Sequence, residues 1–371
     1  MRKDGWTLAG ILALVVMPAA AAAGVPAPES AAWPARAGAA AALLDRQWGT
    51  DDGWAASDNW QRFPILDALV DYRQRSGDRR WDAKIAATVR HRSGLALNDD
   101  DLWAIIATVH AWRIGGDPEL LAWASATYAR IVAGAWDERC GGGLWWDPAK
   151  TYKNAITNEL LLYASTQLYL ATGQDGYKAW ALRSWGWFAG SGMIGTDGLV
   201  NDGLAMDGAR CRNNGAPRYS YNQGVLLGGL ADLAAITGEA QYRDAAVRTA
   251  LAATRTLVTS DGLLTEPSDA LGRDGPMFKG VFAWHLGHLV DALPDGPERR
   301  ELAAWTRRNG AAVWRLSGDG SKPIDGLWSG GSGQVGAAAQ ASGIDVMLAA
   351  AAGGMADGAV TTGSDGAKNA R

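Results

Sequence analysis

The chain has 371 residues, 48% hydrophobic and 20% charged, the balance of a globular protein long enough to bury a sizeable core. Its 35 basic and 39 acidic residues leave a net charge of −4 and are spread along the chain. That argues against a nucleic-acid partner, whose phosphates need a concentrated basic face, and no polybasic run marks a membrane surface.

The N-terminus reads as a signal peptide over residues 1–23. Arg2 and Lys3 are basic, Trp6 to Met17 form an apolar run, Pro18 breaks it, and Ala21-Ala22-Ala23 is a small-x-small cleavage site before Gly24. The run is too short to span a bilayer, and no other segment has transmembrane character. The protein is therefore expected to be secreted or periplasmic, with no membrane partner after cleavage.

Beyond the signal, apolar residues recur at three and four with almost no β-branched alternation, so nearly everything reads as helix. The predicted helices are Ala35–Gln47, Asn59–Arg75, Trp81–His91, Asp100–Ile114, Pro118–Ala133, Ala155–Ala171, Tyr177–Ala189, Ser220–Ile236, Gln241–Leu257, Phe278–Ala292, Glu298–Leu316 and Val335–Ala352. A glycine stop recurs at Ser76-Gly77-Asp78, Gly115-Gly116-Asp117, Thr172-Gly173-Gln174, Thr237-Gly238-Glu239 and Asp295-Gly296-Pro297, each followed closely by the next helix. The helices thus form hairpins with tight turns at one end. The links at the other end are long and rich in Gly, Asp, Asn and Trp, as in Gly141 to Asn154 and Ile194 to Tyr219.

Six hairpins with alternating short and long links predict an all-α, single-domain (α/α)6 toroid over residues 24–352, with inner-helix N-termini around one cavity. An open solenoid would show a constant repeat length, and the glycine stops are irregularly spaced. Residues 353–371 are small and polar and are expected to form a disordered tail.

In that ring the long-loop rim gathers Asp58-Asn59-Trp60, Asn98 to Trp103, Lys153-Asn154 with Asn158-Glu159, Tyr219 to Gln223, Phe278-Lys279-Gly280 and Ser329 to Gln334. Capping explains one polar residue per helix start. It explains less well the aromatics and the lysine that share the rim. The chain also has 19 tryptophans, far above ordinary usage. Some must build core, but an indole face also matches the C–H face of a sugar ring.

Asp99-Asp100-Asp101 at a helix start is the sharpest signal. Glycoside cleavage needs two carboxyls, one ionised and one protonated, and neighbouring carboxylates raise each other's pKa. His285 and His288, without a further His or Cys nearby, do not make a metal site. Cys140 and Cys211 are a candidate disulfide if the protein is exported, since an oxidising compartment permits pairing.

Asp99-Asp100-Asp101-Leu102-Trp103 resembles the Asp-Asp-x-x-Trp motif of glycoside hydrolase family 76, the α-1,6-mannanases and their fungal cell-wall relatives. Gly142-Gly143-Leu144-Trp145-Trp146, Lys153-Asn154 with Thr157-Asn158-Glu159, Tyr221-Asn222-Gln223-Gly224, and Phe278-Lys279-Gly280 with Phe282 also resemble family segments, in order, over roughly Leu43 to Ala350. The resemblance implies an (α/α)6 fold and retaining hydrolysis of α-1,6-linked mannose backbones, with endo action expected, and no metal or organic cofactor. By position, Asp99 is the nucleophile and Asp100 the acid/base. Trp103, Trp145, Trp146, Asn154, Tyr221, Asn222 and Lys279 are expected to line the cleft. The chain departs from the family at Ala104, where a second tryptophan is common. The third aspartate offers a second register, but pairing Asp100 with Asp101 leaves only one residue before Trp103. The expected partner is an oligo- or polysaccharide, and the protein is expected to be a monomer. Alternatives are a transglycosylase acting on mannose-containing glycans, a non-catalytic glycan-binding protein, and a helical scaffold for other proteins.

Overall fold

Four helices stop for one shared reason. Gly77, Gly116, Gly173 and Gly238 each take a left-handed conformation, with φ between 68° and 75°, and turn the chain straight into the next helix. The computed structural model describes residues 32–55, 60–91, 98–207, 210–267 and 272–353. The expected signal peptide, Asp58-Asn59 and all of the expected tail beyond Gly353 lie outside the described residues.

The described residues form twelve α-helices: α1 Trp33–Trp48, α2 Arg62–Ser76, α3 Asp82–Arg90, α4 Asp99–Gly115, α5 Pro118–Ala135, α6 Ala155–Thr172, α7 Asp175–Gly190, α8 Ser220–Thr237, α9 Ala240–Thr256, α10 Gly275–Ala292, α11 Pro297–Leu316 and α12 Ala337–Ala351. Each even-numbered helix packs on the next, and α12 packs back on α2, so six helices close a ring. The odd-numbered helices pack outside them, as α5 does on α4 and α9 on α8. This is an (α/α)6 toroid. Burial separates the two layers: every residue of α12 is buried, whereas α9 buries only one face.

Two features depart from the sequence-based expectation. Gly296 is no helix stop. Its φ of −177° is extended, and α10 has already ended at Ala292, before the Leu293-Pro294 link. Two short antiparallel hairpins also interrupt the long links: β1 Gly49–Thr50 with β2 Gly53–Trp54, and β3 Leu204–Asp207 with β4 Arg210–Asn213.

The loop between α5 and α6 is built around a buried cation. Lys153 is fully buried, and its Nζ donates to Asp137 Oδ1 at 2.9 Å and to the carbonyls of Arg139 and Gly142 at 2.6 Å each. The Trp145 ring lies 4.6 Å from the same ammonium. A Cβ on Gly143 would stand 2.4 Å from the Trp187 ring, so only glycine lets the chain pass there. Cys140 and Cys211 form a disulfide that ties this loop to β4, with Cα atoms 5.4 Å apart.

Candidate active site

Because α2, α4, α6, α8 and α10 are each followed by a short link to an outer helix, the inner N-termini face the long-loop rim. A cleft of about 300 Å³ opens there. Asn98 caps α4 by accepting from the Asp100 backbone N–H at 3.2 Å, which sets the three aspartates in the first turn. Asp99 lines the cleft, Asp101 is buried, and Asp100, half-buried, is not among the lining residues. The helix N-terminus favours negative charge at this position.

Burial, and then the neighbouring Asp100, push the Asp99 carboxyl up to about 7; a hydrogen bond from the Trp146 side chain opposes this. Asp99 Oδ1 is buried without a protein partner. A partly desolvated carboxyl that lines a cavity is a candidate reactive group.

The walls are aromatic. Trp60 lies against Trp103 at 5.9 Å and Phe278 at 6.5 Å, and its indole N–H donates to Asp274 at 2.8 Å. Tyr221 packs on Phe278 at 4.2 Å and stacks on Tyr219 at 5.7 Å with an interplanar angle of 11°. Asp202, in the α7–α8 link, adds a third cleft carboxylate. It accepts from the Tyr152 hydroxyl at 2.7 Å and from the Tyr221 hydroxyl and Asn222 Nδ2 at 3.3 Å. Behind it Glu159 is fully buried with neither carboxyl oxygen hydrogen-bonded. Burial first, and then Asp202, raise its pKa well above the ordinary range, so Glu159 is held neutral.

The expected site residues divide. Asp99, Trp103, Trp146, Asn154 and Tyr221 line the cleft, and Asn154 also caps α6 through its oxygen. Trp145 does not line it: it is 2% exposed against 44% for Trp146, and its indole N–H donates to Asp137 at 2.7 Å. Lys279 is buried, with Nζ 3.3 Å from the Gly326 carbonyl, and Asn222 is buried behind Asp202. In each case the segment reaches the rim while the side chain turns into the wall. Tyr219, placed at the rim by the sequence, also lines the cleft; Asp202, Tyr152 and Asp274 were not expected. Asp202 and Asp274 sit in links with no periodicity to show which way a side chain points.

Among the described residues no group of three or more His, Cys, Asp or Glu is arranged to hold a metal ion. The aromatic walls and the carboxyls suit a flat, neutral, hydroxylated ligand.

Comparison with known proteins gives a consistent result. The model of Glycosyl hydrolase family 76 matches residues 35–362. The chain is 28% identical over 323 residues to the mannan endo-1,6-alpha-mannosidase DCW1 of Saccharomyces cerevisiae, covering 78% of this chain and 71% of that protein. It is 30% identical over 216 residues to the mannan endo-1,6-alpha-mannosidase DCW1 of Candida albicans, covering 53% and 48%. An inactive variant of the alpha-1,6-mannanase of Salegentibacter sp. HEL1_6, with two consecutive aspartates replaced by alanine and solved with alpha-1,6-mannotetrose, has a similar fold. Its TM-score is 0.78 at 23% identity, over 86% of this chain and 98% of that one.

Proposed function

The chain belongs to glycosyl hydrolase family 76, and from that premise we propose that it cleaves α-1,6-linked mannose backbones from within, with retention, using Asp99 as nucleophile and Asp100 as acid/base. The observation that carries this reading is Asp99 itself: a desolvated carboxyl beside a second one, lining an aromatic cleft. The consecutive aspartates replaced in the inactive Salegentibacter variant, and the mannotetrose solved with it, support the same assignment.

Retaining cleavage needs one carboxyl ionised and the other protonated. The productive form has the proton on Asp100, leaving Asp99 ionised toward the α4 N-terminus and the Trp146 side chain. Asp99 attacks the anomeric carbon as Asp100 passes its proton to the departing glycosidic oxygen, giving a glycosyl ester. Asp100 then takes a proton from water, whose oxygen attacks the same carbon and frees Asp99. Trp103, Trp60 and Tyr221 offer faces for sugar rings, and Asp202 offers an acceptor for hydroxyls. The signal-like N-terminus and the disulfide support export.

Trp146, exposed beside the nucleophile, favours a second reading in which a sugar hydroxyl replaces water and the enzyme transfers glycan. Incubation with α-1,6-mannan, followed by proton NMR and product sizing, tests both. Internal cleavage with initial release of the α-anomer is expected; initial β-anomer would overturn retention and the role of Asp99. Products longer than the substrate, formed when acceptor is added, would establish transfer.

A further inference from the structure

A second cavity, of about 170 Å³, opens at the opposite end of the ring, where the C-terminal halves of α2, α4 and α10 meet α6. One side is aromatic. Trp284 and His288 stack at 6.2 Å with 15° between their planes, and Tyr163 meets Trp284 edge-on at 6.0 Å. The other side is polar and held in place. Arg75 Nε donates to Asp71 at 2.8 Å, His110 lies 3.0 Å from Asp67 and 3.1 Å from Gln167, and Arg113 donates to the same Gln167 oxygen.

Such a lining is not what stability alone requires, since well-packed apolar residues commonly replace a buried ionic network without loss. It also discriminates between ligands. An apolar guest would strip water from the charged groups without replacing it. An anion would meet the carboxylates Asp67 and Asp71 and the carbonyl ends of converging helices, while the lining cations are already engaged, Arg75 by Asp71 and Asp291, His288 by Asp232 and Arg113 by Gln167. No metal-binding group is present among the described residues. A neutral ring with one apolar face and many hydroxyls satisfies both sides: the face lies on Trp284, and the hydroxyls meet fixed donors and acceptors. A volume of about 170 Å³ suits one pyranose ring.

We propose that this chamber binds a single neutral sugar unit, on Trp284 and within reach of Asp71, Arg113 and Gln167, as a site separate from the catalytic cleft. It stands whether or not the cleft acts on mannan. The chain has four histidines, of which His110 and His288 line the chamber and none lines the cleft. Histidine ring signals in a proton–carbon NMR titration of the intact protein therefore report on the chamber. With D-mannose as probe, the His110 and His288 signals should shift saturably while that of exposed His91 stays still. Gln74→Trp, at an exposed position on the chamber mouth, should weaken this binding at least tenfold while activity and melting temperature stay unchanged. Trp284→Phe should weaken it as strongly. No saturable shift with mannose, a shift that survives both substitutions, or a shift produced by inorganic phosphate and not by mannose would each overturn the proposal.

Discussion

At the scale of single residues, Asp99 carries an energetic signature that can be measured without substrate. Its carboxyl binds a proton more tightly in the folded protein than in the unfolded chain, because burial and Asp100 oppose its charge. Folding stability therefore falls as pH rises from about 4 to about 7, by an amount on the order of 2–4 kcal/mol. Asp99→Asn removes that penalty. It should abolish turnover yet raise the melting temperature at pH 8, with the gain fading toward pH 4. An equal shift at both pH values would show that Asp99 is not desolvated. Asp100→Asn should spare substrates with good leaving groups, and azide should rescue it with an α-configured product. The adjacent tryptophans separate in the same way. Trp146→Ala should raise KM with little change in stability, and Trp145→Ala should cost about 3–5 kcal/mol in denaturant unfolding. The sequence could not tell these two apart, because both stand in one aperiodic loop. Only the buried Lys153 shows why Trp145 turns inward.

At the scale of elements, the helices were legible because their apolar residues follow the 3.6-residue period and their ends carry glycine or proline. The short hairpins were not, since two- and four-residue strands leave no period to read. Gly296 shows how a true residue signal misleads when its conformation is unknown. Gly238→Ala forces an alanine into φ 75° and should destabilise by about 1 kcal/mol; Gly296→Ala, at φ −177°, should change stability by under about 0.5 kcal/mol. Urea denaturation of both variants checks the contrast. The α5–α6 loop offers a stronger test. Although burial opposes it, the Trp145 indole and Lys153 hold the Asp137 carboxyl at about 2. Lys153→Met leaves two carbonyls without this donor and Asp137 without its buried cation, and should cost about 3–5 kcal/mol while disordering the cleft wall that Trp146 belongs to. Reducing the Cys140–Cys211 bond should loosen the same wall, by roughly 2–4 kcal/mol.

At the scale of the whole molecule, the alternation of short and long links was enough to anticipate a closed ring with the long links gathered at one end. It could not show the lining of the ring's interior, because a helix buried on all sides loses the amphipathic pattern that would say which residues point to the axis. The contact of α12 with α2 closes the ring. Removing residues from 337 onward should therefore abolish cooperative unfolding rather than leave a five-hairpin remnant, as circular dichroism in a thermal scan would show. The same closure brings the two ends of the fold to one place. A Cβ on Gly310 would touch Ala350 from one end at 3.2 Å and Trp33 from the other at 3.3 Å. The order in which the hairpins are read along the chain is therefore a matter of genetic convenience and not of architecture. A circular permutant that joins the two ends through a short linker and opens at the Gly238 turn should fold to the same ring, and the intact ring could equally be spliced as a cassette into a surface loop of another protein.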